Sequence, residues 1–222
     1  MIVMKYYKIE MTDNQKVIGH YPQAKYEEGY NPRKEGIFSI KQNRFPDFTP
    51  RLDLRLHQES IITDYLDSSL VPFGMIVSEK MKFILEKTKL PKHKFYPINV
   101  FQEDLSFTYY WFHFIIDDFW DCIDKDKSYG KVLRIDDNFS LKRTIPAISI
   151  EENRKEMLTR EAKTIKKIGI IVMNDKFPKY DIYKTAFIEH KVLISESFKK
   201  LIKENSITGT EIKPFEKFII SY

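Results

Sequence analysis

Two stretches of this chain spell nearly the same pattern. Residues 77–90 read V-S-E-K-M-K-F-I-L-E-K-T-K-L, and residues 194–207 read I-S-E-S-F-K-K-L-I-K-E-N-S-I. A constant offset of 117 aligns Ser78 with Ser195, Glu79 with Glu196, Lys82 with Lys199 and Pro97 with Pro214. Apolar residues at Met81, Ile84 and Leu85, and at Phe198, Leu201 and Ile202, recur at spacings of three and four, so each copy reads as a helix with one apolar face. Ser78 and Ser195 stand where a hydroxyl can cap the free amides of a first turn. Glu79 and Glu196 follow at the positive end of the helix dipole. Pro91 and Gly209 come after each helix as stops. The short runs Met75–Val77 and Val192–Ile194 read as strands feeding the helices. The chain is therefore expected to contain two similar strand–Ser-Glu–helix units, with the Ser-Glu pairs serving architecture rather than catalysis.

The rest of the chain reads as strands and irregular segments with few other helices. Residues 1–10 form a first strand, and 21–50, rich in Pro, Asn and Gly, wrap the surface. Leu52–Leu56 alternates apolar and charged residues, as a half-exposed strand would. Phe95–Phe101 and Thr108–Ile116 form an aromatic hairpin around Gln102-Glu103-Asp104. Ile145–Ile150 is a strand, 151–167 is polar and helix-tolerant with a weak apolar face (Met157, Leu158, Ala162, Ile165), Ile168–Met173 is a buried strand, and Phe218–Ile220 closes the chain. Without a regular βαβ rhythm the expected class is α+β, with mixed, mostly antiparallel sheets. The expected division is an N-terminal strand and wrapping segment, 1–59, and an α+β domain, 60–222, packed as one unit.

Chemistry is hard to find. None of the five histidines has a helical i, i+4 partner, and no nucleophile elbow, phosphate loop or dinucleotide turn occurs. His113, in an apolar strand, reads as a core residue. The single cysteine, Cys122, excludes an intramolecular disulfide, fits a reducing cytoplasm, and lies among aspartates that disfavour a thiolate. No run reaches the ~18 apolar residues of a membrane span. No catalytic residue, cofactor site or metal ligand is expected. The net charge of +5 is spread along the chain, and Lys163–Lys167 and Lys199-Lys200 read as solvated faces.

One segment changes character. Residues 117–137 hold seven aspartates against four basic residues. Within it Asp117, Asp118, Phe119, Trp120 and Asp121 could form a partner-binding patch, the tryptophan supplying area and the aspartates steering a basic partner. A solvated loop and a carboxylate site for a divalent ion are the other readings of the same residues.

The order of these features resembles a bacterial group, the eleventh numbered immunity-protein family of polymorphic toxin systems. The elements that carry the resemblance are Val77–Leu85, Phe95-Tyr96-Pro97, Tyr109–Ile116, Asp121–Ser128, the lead-in Lys176–Tyr183 and Ile194–Gly209, spanning roughly 60–218. The resemblance implies a non-enzymatic protein that binds and neutralises a cognate protein toxin, with no membrane partner. Two other readings stay open: a basic nucleic-acid-associated module, and a carboxylate–metal hydrolase.

Overall fold

The computed structural model describes residues 5–220, so Met1–Met4 of the expected first strand lie outside the described residues. Among the described residues the protein is α+β, with fourteen strands and five α-helices. The described residues group into two compact units. One comprises residues 5–8, 116–196 and 213–220; the other comprises 9–115 and 197–212.

The unit of residues 9–115 and 197–212 is built on a six-stranded sheet in the order β2-β3-β6-β7-β5-β4. Its spine is the hairpin of β6 (Lys92–Gln102) and β7 (Leu105–Ile115), in register from Lys92↔Ile115 to Gln102↔Leu105. The hairpin is longer at both ends than its aromatic runs suggest. β3 (Asp53–Leu56) runs parallel to β6 and antiparallel to β2 (Ala24–Tyr26). It was expected to be half-exposed, but it lies inside the sheet and Leu52, Asp53, Leu54 and Leu56 are all buried. Asp53 survives burial because Arg51 and Asn99 both bond its carboxylate. On the other side β5 (Met75–Ser78) pairs with β7 and with β4 (Tyr65–Leu66), and runs directly into α2 (Glu79–Leu85). Helix α2 buries Met81, Ile84 and Leu85, the face its spacing predicts. α1 (Gln15–Ile18) precedes β2. His113 is buried in β7 with its ring stacked on Trp111.

The other unit carries a sheet in the order β14-β10-β8-β9. Its strands are β8 (Tyr129–Arg134), β9 (Leu141–Pro146), β10 (Thr164–Met173) and β14 (Phe218–Ile220). Two expectations shift here. The strand ends at Pro146 rather than Ile150, and the helix α4 (Ile150–Leu158) stops at Leu158, with Ile165 already in β10. The lysines of Lys163–Lys167 flank and line this strand and are paired, with Asp136, Glu156 and Glu189 respectively for Lys163, Lys166 and Lys167. The core gathers Phe119, Val132, Ile145, Ile168, Ile171, Phe177, Tyr183, Phe187 and Phe218.

A further sheet has the order β11-β12-β1-β13, from β11 (Ile182–Lys184), β12 (Val192–Ser195), β1 (Tyr6–Met11) and β13 (Thr210–Pro214); α5 (Glu196–Glu204) follows β12 directly. This sheet repeats β4-β5-β7-β6 residue for residue. Tyr65↔Val77 and Leu66↔Ile76 correspond to Ile182↔Ile194 and Tyr183↔Leu193, at the same offset of 117. Ser78 donates its hydroxyl to Asp64 at 2.7 Å and its amide to the Asp64 carbonyl at 2.8 Å; Ser195 does the same to Asp181 at 2.5 and 2.9 Å. The third strand differs in origin. In one copy it is β7, where Tyr109 lies opposite Ser78 and bonds the Thr63 carbonyl. In the other it is β1, where Tyr6 lies opposite Ser195 and bonds the Tyr180 carbonyl. The duplication is thus circularly permuted, a strand from the start of the chain standing where a downstream strand stands in the first copy. Gly209, just past α5, has φ 84° and sits where a Cβ would lie 2.5 Å from the Tyr65 carbonyl oxygen, which only glycine permits.

Candidate functional site

The acidic segment folds around the short helix α3 (Phe119–Cys122). Phe119 is 1% exposed and stacks on Tyr183, so its area serves the core. Trp120 is half-buried, edge-on to Phe119 and Phe187, and its indole N–H is buried with no acceptor among the described residues. Asp118 is half-buried and accepts from the Tyr183 hydroxyl at 3.3 Å. Burial lifts its carboxyl above the usual range, an effect the Tyr183 bond partly offsets. Of the five, only Asp117 and Asp121 are exposed. Cys122 is buried and its thiol is pushed up to about 11, by burial first and then by Asp118, so it stays a thiol at neutral pH. Downstream, Asp124 is held ionised by Lys127 and by the amides of Asp126 and Lys127. These carboxylates do not converge on one point. Among the described residues the group that could share an ion is instead His20, His57 and Glu59. Sequence spacing carries no signal for it.

A second surface stands out on β8, β9 and α4. Among the described residues, seven of the fourteen exposed large hydrophobics fall between 135 and 158: Ile135, Phe139, Leu141, Ile148, Ile150, Met157 and Leu158, the last 82% exposed. Residues 131–167 also hold ten basic and six acidic residues, so +4 of the chain's +5. Helix α4 is inverted for a helix packed on a core. Its buried residue is a polar one, Asn153, which accepts from the Ile188 amide at 3.1 Å and donates to the Ala186 carbonyl at 3.4 Å. Its apolar residues Ile150, Met157 and Leu158 face water. Ser149 caps it by accepting from the Glu152 amide.

Ion pairs at this surface consume Glu156 and Glu161. Arg143 reaches Glu156 at 2.7 Å and Glu161 at 2.5 Å, Lys142 reaches Glu161 at 2.7 Å, and Lys166 reaches Glu156 at 3.0 Å. Lys142 and then Arg143 hold the Glu161 carboxyl down at about 2. Arg134, Arg154 and Arg160 are exposed and carry no ion pair among the described residues, so the surface presents unmatched positive charge around its apolar residues. An open groove of about 720 Å³ runs between Met157, Arg160, Ile165 and Lys166. β9 is the last strand of its sheet, with a free edge. At the β8–β9 turn Asn138 and Phe139 both have positive φ, 46° and 58°, and Phe139 is exposed. A bulky residue held in that conformation without packing in return marks a tip shaped for something other than stability.

No helix among the described residues is long and apolar enough to cross a membrane. No curated protein matches the chain. The profile of the Immunity protein family (Imm11) matches residues 5–217, which takes in residues 5–59 as well as the motifs from 60 onward. With nearly its whole length matched, the chain belongs to the Imm11 immunity protein family.

Proposed function

We propose that this protein protects by binding a cognate toxin without catalysis, and that it does so through the basic, apolar surface of β9, the Ile135–Phe139 turn and α4. The observation that carries this reading is the inverted helix: a core-facing Asn153 and outward Ile150, Met157 and Leu158. Exposed apolar side chains ringed by charge are what a desolvated contact centre with a polar rim requires. Burying an aliphatic side chain contributes roughly 1.5–3 kcal/mol, so a few such anchors offset the cost of association. The partner that fits offers apolar pockets bordered by carboxylates, which Arg134, Arg154 and Arg160 would meet. The buried thiol of Cys122 and the paired state of Glu156 and Glu161 leave these groups poorly placed for bond-making chemistry.

Two observations support other contacts. Asp117 and Asp121 are exposed beside Trp120, and would suit a basic partner surface. The cations of β8–α4 would also attract nucleic acid, although Phe139 is the one aromatic among the seven exposed hydrophobic residues there on which a base could stack.

The test is co-expression with the toxin encoded beside this protein. Leu158→Asp and Met157→Asp should abolish growth rescue and co-purification while leaving the circular dichroism spectrum unchanged. Asp117→Lys and Asp121→Lys should keep both. The reverse pattern would move the contact to the acidic segment. A low-salt shift of DNA or RNA, lost on Arg154→Ala and Arg160→Ala, with no toxin complex, would replace the reading altogether.

A further inference from the structure

We propose that His20, His57 and Glu59 bind one zinc-type divalent ion, with two imidazoles and a carboxylate as ligands. One ligand atom from each lies within 4.8 Å of the others, although the two histidines are 37 residues apart in sequence. The imidazole rings stack with centroids 3.4 Å apart and planes 8° from parallel. Imidazole and carboxylate together suit zinc and its late first-row neighbours rather than magnesium or calcium, which favour all-oxygen shells.

The backbone holding these side chains is pinned from several directions. Gly19, with φ 75°, packs so closely on the 57–60 turn that a Cβ would lie 2.1 Å from the Glu59 carbonyl oxygen. The His57 amide donates to the Gln23 carbonyl at 2.9 Å, and the Ile61 amide to the Ile18 carbonyl at 2.9 Å. The Ser60 hydroxyl donates to the Gln23 carbonyl at 3.0 Å. Gln102 reaches across from β6 and donates to the carbonyls of His57 and Ser60 at 3.2 and 2.8 Å. The ligands therefore project from two segments already fixed against each other, which lowers the ordering cost of binding.

The ring nitrogens are prepared unequally. His20 Nδ1 faces the Pro22 carbonyl at 3.0 Å. A carbonyl only accepts, so Nδ1 carries the proton and Nε2 presents a lone pair, the arrangement usual for metal-bound histidines. His57 Nδ1 accepts from the Glu59 amide at 3.2 Å, which places its proton on Nε2. Binding through Nε2 of His57 therefore shifts that proton to Nδ1, whereas binding through Nδ1 leaves it in place; either way the Glu59 amide bond is given up. The parallel rings must also open towards the ion. Surface exposure of His57 and Glu59 leaves room for that rotation, and the Glu59 carboxylate has no ion pair among the described residues to break. An occupied site would staple the 19–23 segment to the 57–60 turn.

Isothermal titration of the full chain with Zn²⁺ alone, in a buffer that does not chelate, tests this. One equivalent should bind saturably, Mg²⁺ should give no heat, and His20→Gln, His57→Gln and Glu59→Gln should each weaken binding by about tenfold or more. Thermal melts should show a Zn²⁺-dependent rise in Tm for the parent that is lost in the variants, each of which changes a surface side chain and folds by circular dichroism. Absence of a saturable equivalent, or binding that survives both histidine variants, would overturn the site.

Discussion

The paired serines give the sharpest stability prediction. Ser195 is fully buried and donates to the Asp181 carboxylate at 2.5 Å; Ser78 donates to Asp64 at 2.7 Å and also accepts from the Met81 amide at 3.1 Å. A hydrogen bond to a charged group contributes roughly 1.5–3 kcal/mol, and a serine helix cap about 1 kcal/mol more. Ser78→Ala should therefore cost about 2.5–4 kcal/mol, and loss of the Asp181 bond alone should make Ser195→Ala cost about 1.5–3 kcal/mol. For a chain of this length each kcal/mol lowers Tm by about 2–4 °C, so Ser195→Ala should melt roughly 3–12 °C below the parent. Urea denaturation of the single and double variants Ser195→Ala and Asp181→Ala isolates the pair. A coupling energy of about 1.5 kcal/mol or more is expected. A coupling below about 0.5 kcal/mol in both copies would refute the claim that the duplicated Ser–Asp contact holds strand to helix.

Other outcomes follow from the acidic segment and the ion-pair network. Phe119→Ala should destabilise by about 3–5 kcal/mol in urea melts, while Asp117→Ala and Asp121→Ala should stay within about 0.5 kcal/mol; similar values for all three would contradict the burial of Phe119. Glu161 ionises near 2 when folded, against an ordinary 4.5. Its stabilising contribution is complete above about pH 4.5 and is lost as pH falls towards 2, so Tm should drop less steeply over that window in Glu161→Gln than in the parent. Native Cys122 should resist alkylation at pH 8 and react stoichiometrically in denaturant, as a buried thiol raised to about 11 requires.

Much of the fold was legible because local periodicity and tertiary burial agree. The helices with Met81, Ile84 and Leu85, and with Phe198 and Ile202, bury the faces their spacings predict. Where the two disagree, reading failed in an informative way. Residues 151–167 show only a weak apolar face, and in α4 the apolar residues Ile150, Met157 and Leu158 point outward, which is itself the mark of the candidate surface. Leu52–Leu56 alternates like a half-exposed strand, yet Arg51 and Asn99 let Asp53 be buried. Phe119 and Asp121 look alike as members of one cluster, but the four-residue helix α3 turns the first in and leaves the second out. His20 and His57 meet only through backbone bonds between distant segments. Asp64 and Asp181 share the offset of their serines, so extending the repeat upstream would have found them. The Tyr6-Tyr7 and Tyr109-Tyr110 pairs could not be found that way, because permutation removes them from the common offset.

The displaced first strand has a consequence for biosynthesis. Residues 6–8 seat against 193–195, and the Tyr6 carbonyl accepts from the Phe215 amide. A growing polypeptide emerging from the ribosome must therefore carry that strand idle until residues 193–195 have been translated. Contacts this far apart are slow to form and leave an edge open to aggregation meanwhile. The segment spanning 9–115 can assemble most of its six-stranded sheet early, whereas the duplicate sheet closes as a final latch. Chains cut short before residue 193 would emerge with that latch unmade, and quality-control proteases would meet them as open, incomplete molecules.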